Sequence, residues 1–173
     1  MREVADVARI RAFMDAMARA AAVTARIYFA GGATAVLLGW RSSTIDVDLR
    51  VEPDVDAIFR AIPKLKEELK INVELATPLD FLPIPEGWES RSPFIEQIGR
   101  LSFHHFDLYG QALAKVERGH AQDVADVQEM LRRRLIDRVE AREYFSRLEP
   151  QLYRFPAIDP GSLRRAVEET FGG

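Results

Sequence analysis

Residues 30–49 read AGGATAVLLGWRSSTIDVDL, and this stretch decides how the rest of the chain is read. A short apolar run, Ile27-Tyr28-Phe29, leads into a glycine pair, Gly31-Gly32. A small-residue helix follows and stops at Gly39, the residue type that accepts the left-handed turn after a helix. Trp40-Arg41-Ser42-Ser43-Thr44 then makes a polar turn into a strand over Ile45–Val51 that carries Asp46-x-Asp48. Strand residues two apart face the same way, so Asp46 and Asp48 present their carboxylates side by side while Val47 and Leu49 enter a core. Two such carboxylates repel each other. A hard divalent cation removes that conflict, and oxygen ligands are what Mg²⁺ takes. The glycines let backbone N–H groups approach a ligand closely, and the helix behind them aims its positive end at an anion. Carboxylates suited to a metal beside a phosphate cradle imply nucleotide chemistry.

Asp-x-Asp alone is a weak signal. The glycine pair, the intervening helix and the Arg41–Thr44 turn make it a specific one, and together these residues resemble the nucleotidyltransferase superfamily. The likeness is to the AbiEii-type toxin branch and related uncharacterised bacterial families, carried by Gly31, Gly32, Thr34, Ala35, Arg41, Thr44, Asp46, Asp48 and Leu49. A second block, Lys115-x-x-Arg118 followed by Asp123-x-x-Asp126, resembles the K-x-x-R…K-D-x-x-D block of that branch. Gln122 stands where many relatives carry a basic residue, which removes one phosphate contact from the pattern.

The composition sets the bounds. A chain of 173 residues with 47% hydrophobic and 29% charged residues suits one globular unit with its own core. There is no cysteine, which excludes disulfides, thiolate metal sites and cysteine nucleophiles. A net charge of −3 argues against a surface that is basic throughout and leaves room for a local basic face. No apolar run approaches a membrane span, so no membrane partner and a cytoplasmic location are expected.

Along the chain, residues 3–25 are expected to form an amphipathic helix through Val4, Val7, Ala8, Ile10, Arg11 and Met14. A helix starting at Pro53-Asp54 buries Val55, Ile58, Phe59, Ile62 and Leu65, with Pro63 expected to kink or restart it. Ile71–Leu75 alternates like a half-buried strand and places Asn72 and Glu74 on its polar face. Residues 77–93, with four prolines and Gly87, form a loop of the length used for lids. In it Trp88 and Arg91 either clamp a substrate or plug the edge of a core. Two short strands, Phe94–Ile98 and Leu101–Phe106, point the neighbouring His104 and His105 to opposite faces. Asp107 caps a helix running to Arg118, Asp137 caps another, and Ser162–Phe171 is the last. Six arginines, Arg132, Arg133, Arg134, Arg138, Arg142 and Arg147, either meet RNA phosphates or form a solvated face balanced by glutamates. His120 has no partner motif.

The pattern reads as α/β (α+β). The resemblance implies a minimal nucleotidyltransferase fold, a small mixed sheet flanked by helices over residues 1–106, with a C-terminal helical region over 107–173 packed on it as one compact unit. It also implies the reaction: an acceptor hydroxyl attacks the α-phosphate of an NTP, and pyrophosphate leaves. Mg²⁺ (or Mn²⁺) would be held by Asp46, Asp48 and a third acid. Glu74 is the candidate for that acid, with Asp80 as substitute. Gly31, Gly32 and Thr34 would hold the β- and γ-phosphates, with Arg41 and Thr44 in the same block. Lys115 would meet the triphosphate as a point charge. Asp123 or Asp126 would hold Lys115 and Arg118, or reach the nucleotide. The implied acceptor is RNA, tRNA-like, or a protein, and the implied partner is a cognate antitoxin. A non-catalytic nucleotide-binding or antitoxin-like protein that keeps the fold is the alternative.

Overall fold

The computed structural model describes residues 3–173. They divide into two compact units, one running to Thr77 and resuming at Ser92–Phe106, the other made of Pro78–Arg91 and Asp107–Gly173.

The first unit is a mixed five-stranded sheet with helices on its apolar face. Its elements run α1 (Val7–Ala20), β1 (Ala25–Ala30), α2 (Gly32–Leu38), β2 (Asp46–Glu52), α3 (Asp56–Leu69), β3 (Asn72–Glu74), β4 (Phe94–Ile98) and β5 (Leu101–His105). The strand order is β3-β2-β1-β5-β4. β1 at the centre pairs antiparallel with β2 and parallel with β5, and β2 pairs parallel with β3. Strict alternation along β2 buries Val47, Leu49 and Val51 and turns Asp46, Asp48, Arg50 and Glu52 to the other face. The buried side packs with Ile27, Phe29 and Phe103 of the neighbouring strands and with Ile10, Phe13, Met14, Met17, Ile58, Ile62 and Leu65 from the helices. Each such large side chain contributes about 1.5–3 kcal/mol of transfer free energy, so this apolar face fixes the register of the acids opposite it.

Three expectations are corrected here. The first helix is shorter than residues 3–25. Asp6 accepts from the Arg9 N–H at 2.9 Å and starts it at Val7. The preceding residues are instead drawn out by Ala5, which exchanges backbone hydrogen bonds with Thr44, and by Glu3, whose N–H donates to the Lys70 carbonyl. Pro63 neither kinks nor restarts α3, which is one helix from Asp56 to Leu69. Pro63 is exposed while Ile62 and Leu65 are buried, so the apolar face holds the helix across the missing N–H. The segment before Asp56 is not helical.

The second unit comprises α4 (Leu108–Arg118), α5 (Ala121–Arg132), α6 (Arg138–Leu148) and α7 (Pro160–Phe171), with a 3₁₀ turn at Pro78–Asp80 and a 3₁₀ segment at Glu149–Arg154. α4 packs against α5, α6, α7 and the Pro78–Asp80 turn. Asp107, Asp137 and Asp159 each accept a backbone N–H at the start of α4, α6 and α7, as N-caps do. Among the described residues no helix is long and apolar enough to cross a membrane.

Candidate active site

The register of β2 against β3 sets the geometry of the acids. Asp46 lies opposite Asn72 and Asp48 opposite Glu74. Because paired strand residues share a face, Asp46, Asp48, Asn72 and Glu74 form one polar patch at the β3 edge of the sheet. Asp46 and Asp48 are half-buried and Glu74 is exposed. The Asn72 amide spans the patch, donating from Nδ2 to Asp46 Oδ1 and, at 3.3 Å, to Glu74 Oε1. Two residues further along β2, Arg50 Nε bonds Glu52 Oε1 at 2.5 Å. Asp80, the substitute third acid, sits in the 3₁₀ turn of the other unit.

The glycine pair is required by this patch. Gly31 has φ of 60° and ψ of −132°, a combination essentially restricted to glycine. A Cβ there would also lie 2.7 Å from Asp48 Oδ2, so the backbone at Gly31 runs directly beside that carboxylate. At Gly32 a Cβ would fall 1.9 Å from Thr44 Oγ1 and 2.6 Å from Thr44 Cβ. Thr44 in turn donates its hydroxyl to the Asp46 carbonyl at 3.0 Å. Each glycine is thus fitted to one residue of the Thr44-x-Asp46-x-Asp48 segment. Arg41 lies in the intervening turn with its N–H on the Ala35 carbonyl at 3.3 Å.

Thr34 is placed differently from the expected phosphate ligand. It is 1% exposed; its Oγ1 donates to the Phe29 carbonyl at 3.3 Å and lies 3.1 Å from His105 Nδ1. With the hydroxyl hydrogen on Phe29, the imidazole must donate from Nδ1. Burial, with His104 adding repulsion, pushes the His105 imidazole down to about 4, so it is neutral near pH 7. Thr34 therefore ties α2 to β5 and β1 from inside the core. His104 faces the other way and stacks on Tyr28 with ring centroids 5.1 Å apart.

The second sequence block lies in the helical unit as a closed charge network. Lys115 is buried, and its Nζ donates to Asp126 Oδ2 at 2.8 Å, with Asp123 Oδ1 at 3.9 Å. Arg118 grips Asp123 with two bonds, of 2.8 and 2.6 Å. Burial alone would raise the Asp123 carboxyl, but bonds from Arg118, the Lys115 charge and the His120 N–H leave it below its ordinary value. Gln122 Nε2 completes the network by donating to Asp126 Oδ1 at 3.0 Å. Asp126 thus holds Lys115, and Asp123 holds Arg118.

Two features, one in each unit, were not readable as such. Asp107 is fully buried and does more than cap α4: it accepts from Arg91 Nε at 2.8 Å and from Tyr144 Oη at 3.0 Å. The same guanidinium donates to the Pro85 and Glu86 carbonyls, each at 2.8 Å. Arg91 is therefore spent on holding its own loop, and Trp88, 8% exposed, is packed away rather than presented to a substrate. Asn72 is the other omission. Its spacing, Asn72-x-Glu74 beside Asp46-x-Asp48, carries the signal.

A family model described as a nucleotidyltransferase of unknown function (DUF6036) matches residues 6–148 of the chain. The chain belongs to this family. The match spans both the glycine–aspartate block and the Lys115–Asp126 block. Neither a curated protein nor a solved structure matches the chain. At the level of the family, then, this is a nucleotidyltransferase-like protein.

Proposed function

We propose that this DUF6036 protein is a metal-dependent nucleotidyltransferase of AbiEii-like type, moving an NMP from an NTP to a hydroxyl of an RNA (tRNA-like) or protein acceptor. In this reading it is the toxin of a toxin–antitoxin or phage-defence pair, acts in the cytoplasm and is restrained by a cognate antitoxin. The observation that carries the proposal is the fit of the Gly31 backbone against Asp48, with Asp46 and Glu74 on the same sheet face. Asp46, Asp48 and Glu74 supply only oxygen donors, the set Mg²⁺ or Mn²⁺ takes. Among the described residues no three acids or histidines already converge into a metal cage. The acids lie in adjacent register positions, however, and the Asn72 amide bridges Asp46 and Glu74. Bound there, the metal would lower the cost of charge on the attacking and leaving oxygens.

The chain's own contributions are then specific. Asp46 and Asp48 would hold the metal from one rigid strand, and Glu74 would close the set from β3. The Gly31 backbone, beside Asp48, would let the polyphosphate approach without a side chain of its own in the way, and Gly32 carries the chain past Thr44. In the helical unit Asp126 sets the orientation of Lys115, while Asp123 fixes Arg118. The alternative is a nucleotide-binding or antitoxin-like protein without catalysis. It is favoured by one observation, the Asn72 amide bridging Asp46 and Glu74. Incubation with each α-³²P-NTP, Mg²⁺ or Mn²⁺ and total RNA tests the choice. Label in RNA or protein that an Asp46→Ala/Asp48→Ala variant loses supports transfer. NTP binding without label supports the alternative.

A further inference from the structure

A groove of about 1100 Å³ opens on the helical unit where α5 ends and α6 begins. Its walls include Tyr109, Leu131, Arg134, Leu135, Arg138 and Val139. The combination is an aromatic ring, exposed aliphatic surface and arginines in one open channel. Three acids also line it, and each is already engaged. Glu129 receives Arg132 at 2.5 Å and Arg133 at 3.1 Å. Asp137 caps α6 by accepting the Glu140 N–H at 2.9 Å, and Glu140 accepts the Tyr109 hydroxyl at 2.7 Å. Arg138 donates to a neutral partner, the Thr170 carbonyl, and so keeps its charge uncompensated. Arg134 makes no side-chain hydrogen bond or ion pair among the described residues.

Arg134 is also conformationally unusual. It sits just past the end of α5 with φ of +58°. Its N–H bonds the Leu131 carbonyl and the next N–H bonds Met130, the helix-ending turn in which glycine is the favoured residue. An arginine there gives up backbone stability that glycine would supply, and its exposed, unpaired guanidinium stands at the groove.

From this we propose that the α5–α6 groove binds a single-stranded polynucleotide. Arg134 and Arg138 would take phosphodiester oxygens, and bases would lie against Tyr109 and the aliphatic wall. Single strands are bound by this pairing of backbone-tracking cations with stacking surfaces. An acidic peptide would use the arginines but not the ring and aliphatic wall, which is why a nucleic acid is favoured. The inference deepens the acceptor half of the proposed function and rests on that reading only for what the strand is used for. The binding itself is independent of catalysis.

The test is fluorescence anisotropy with labelled 12-nucleotide single-stranded RNA and DNA over a salt series, using wild type, Arg134→Gly, Arg134→Glu and Asp46→Ala/Asp48→Ala. Arg134→Gly should raise thermal stability, since it relieves the left-handed backbone, while weakening binding about 3- to 10-fold. It should also lower the salt slope by about 0.7, the loss of one phosphate contact. Arg134→Glu should weaken binding further. The Asp46→Ala/Asp48→Ala protein should bind as wild type does, so loss of transfer there with binding intact separates the two hypotheses. Preference between RNA and DNA names the source of the strand. Unchanged affinity in both Arg134 variants would overturn the proposal. So would full competition by a polyglutamate peptide of equal charge, which would mark the groove as a protein-docking surface.

Discussion

Gly32→Ala is the substitution whose effect follows most directly from the geometry. The added Cβ would meet Thr44 Oγ1 at 1.9 Å, Thr44 Cβ at 2.6 Å and Thr44 Cγ2 at 3.3 Å. Carbon atoms pack at about 3.5–4.0 Å, so the Cβ–Cβ contact alone asks for a shift of roughly 1 Å. Rotating Thr44 does not help, because its Cβ stays where the backbone puts it. That backbone is pinned by the 2.9 and 2.7 Å hydrogen bonds exchanged with Ala5, and the hydroxyl by the Asp46 carbonyl. Overpacking of this kind costs about 1–3 kcal/mol, against which the better helix propensity of alanine returns at most about 1 kcal/mol. In a Thr44→Gly background all three obstructing atoms are gone, and Gly32→Ala should be neutral or slightly stabilising. Urea unfolding of the four proteins, followed by circular dichroism, gives the coupling energy. Distant sites add within about 0.3–0.5 kcal/mol; here the coupling should exceed 1 kcal/mol. An equal loss in both backgrounds, or no loss in either, would refute the claim that the glycine is fitted to the threonine.

Other consequences can be checked on the same material. His105 titrates at about 4 when folded and near 6.5 when unfolded. The unfolded chain therefore binds more protons in that interval, and stability present above pH 6.5 falls as pH drops toward 4, by roughly 3 kcal/mol. Urea titrations from pH 7 to 4 should show that slope, and His105→Gln should flatten it by about one proton. Asp126→Ala leaves the buried Lys115 ammonium with only Asp123 at 3.9 Å and should cost about 3–5 kcal/mol. The pair replacement Lys115→Met/Asp126→Leu should cost less than that single change, because no charge is left stranded. Arg91→Ala removes the cation beside the Asp107 carboxylate and frees the Pro85 and Glu86 carbonyls, so limited proteolysis should cut residues 85–91 faster than in wild type, with Tyr144→Phe intermediate.

Much of the secondary structure of both units was legible because its signals are local. The alternation in β2, the Gly39 stop and the Asp107 and Asp137 caps are each decided within a few residues. The coupling of Gly31 to Asp48 and of Gly32 to Thr44 spans only 12 to 17 positions. Sheet order was not legible, since β1 becomes central only by pairing with β5, which begins at Leu101. The choice between a clamp and a plug for the Trp88–Arg91 loop stays open in the sequence for the same reason: the partner of Arg91 is a fully buried cap 16 residues on. Thr34 looked like part of a phosphate motif, but helix phase turns it into the core, where the Phe29 carbonyl and His105 occupy its hydroxyl. Arg134 shows the reverse case. As one of six arginines it was ordinary, and only its positive φ and its place in the groove set it apart.

The central claim is that Asp46 and Asp48 serve nucleotidyl transfer, and parallel reactions with α-³²P- and γ-³²P-labelled NTP test it most directly. The account predicts α-label in the acceptor and γ-label only in released pyrophosphate, both abolished by Asp46→Ala/Asp48→Ala. γ-Label in the acceptor, or transfer that survives loss of both aspartates, would contradict it.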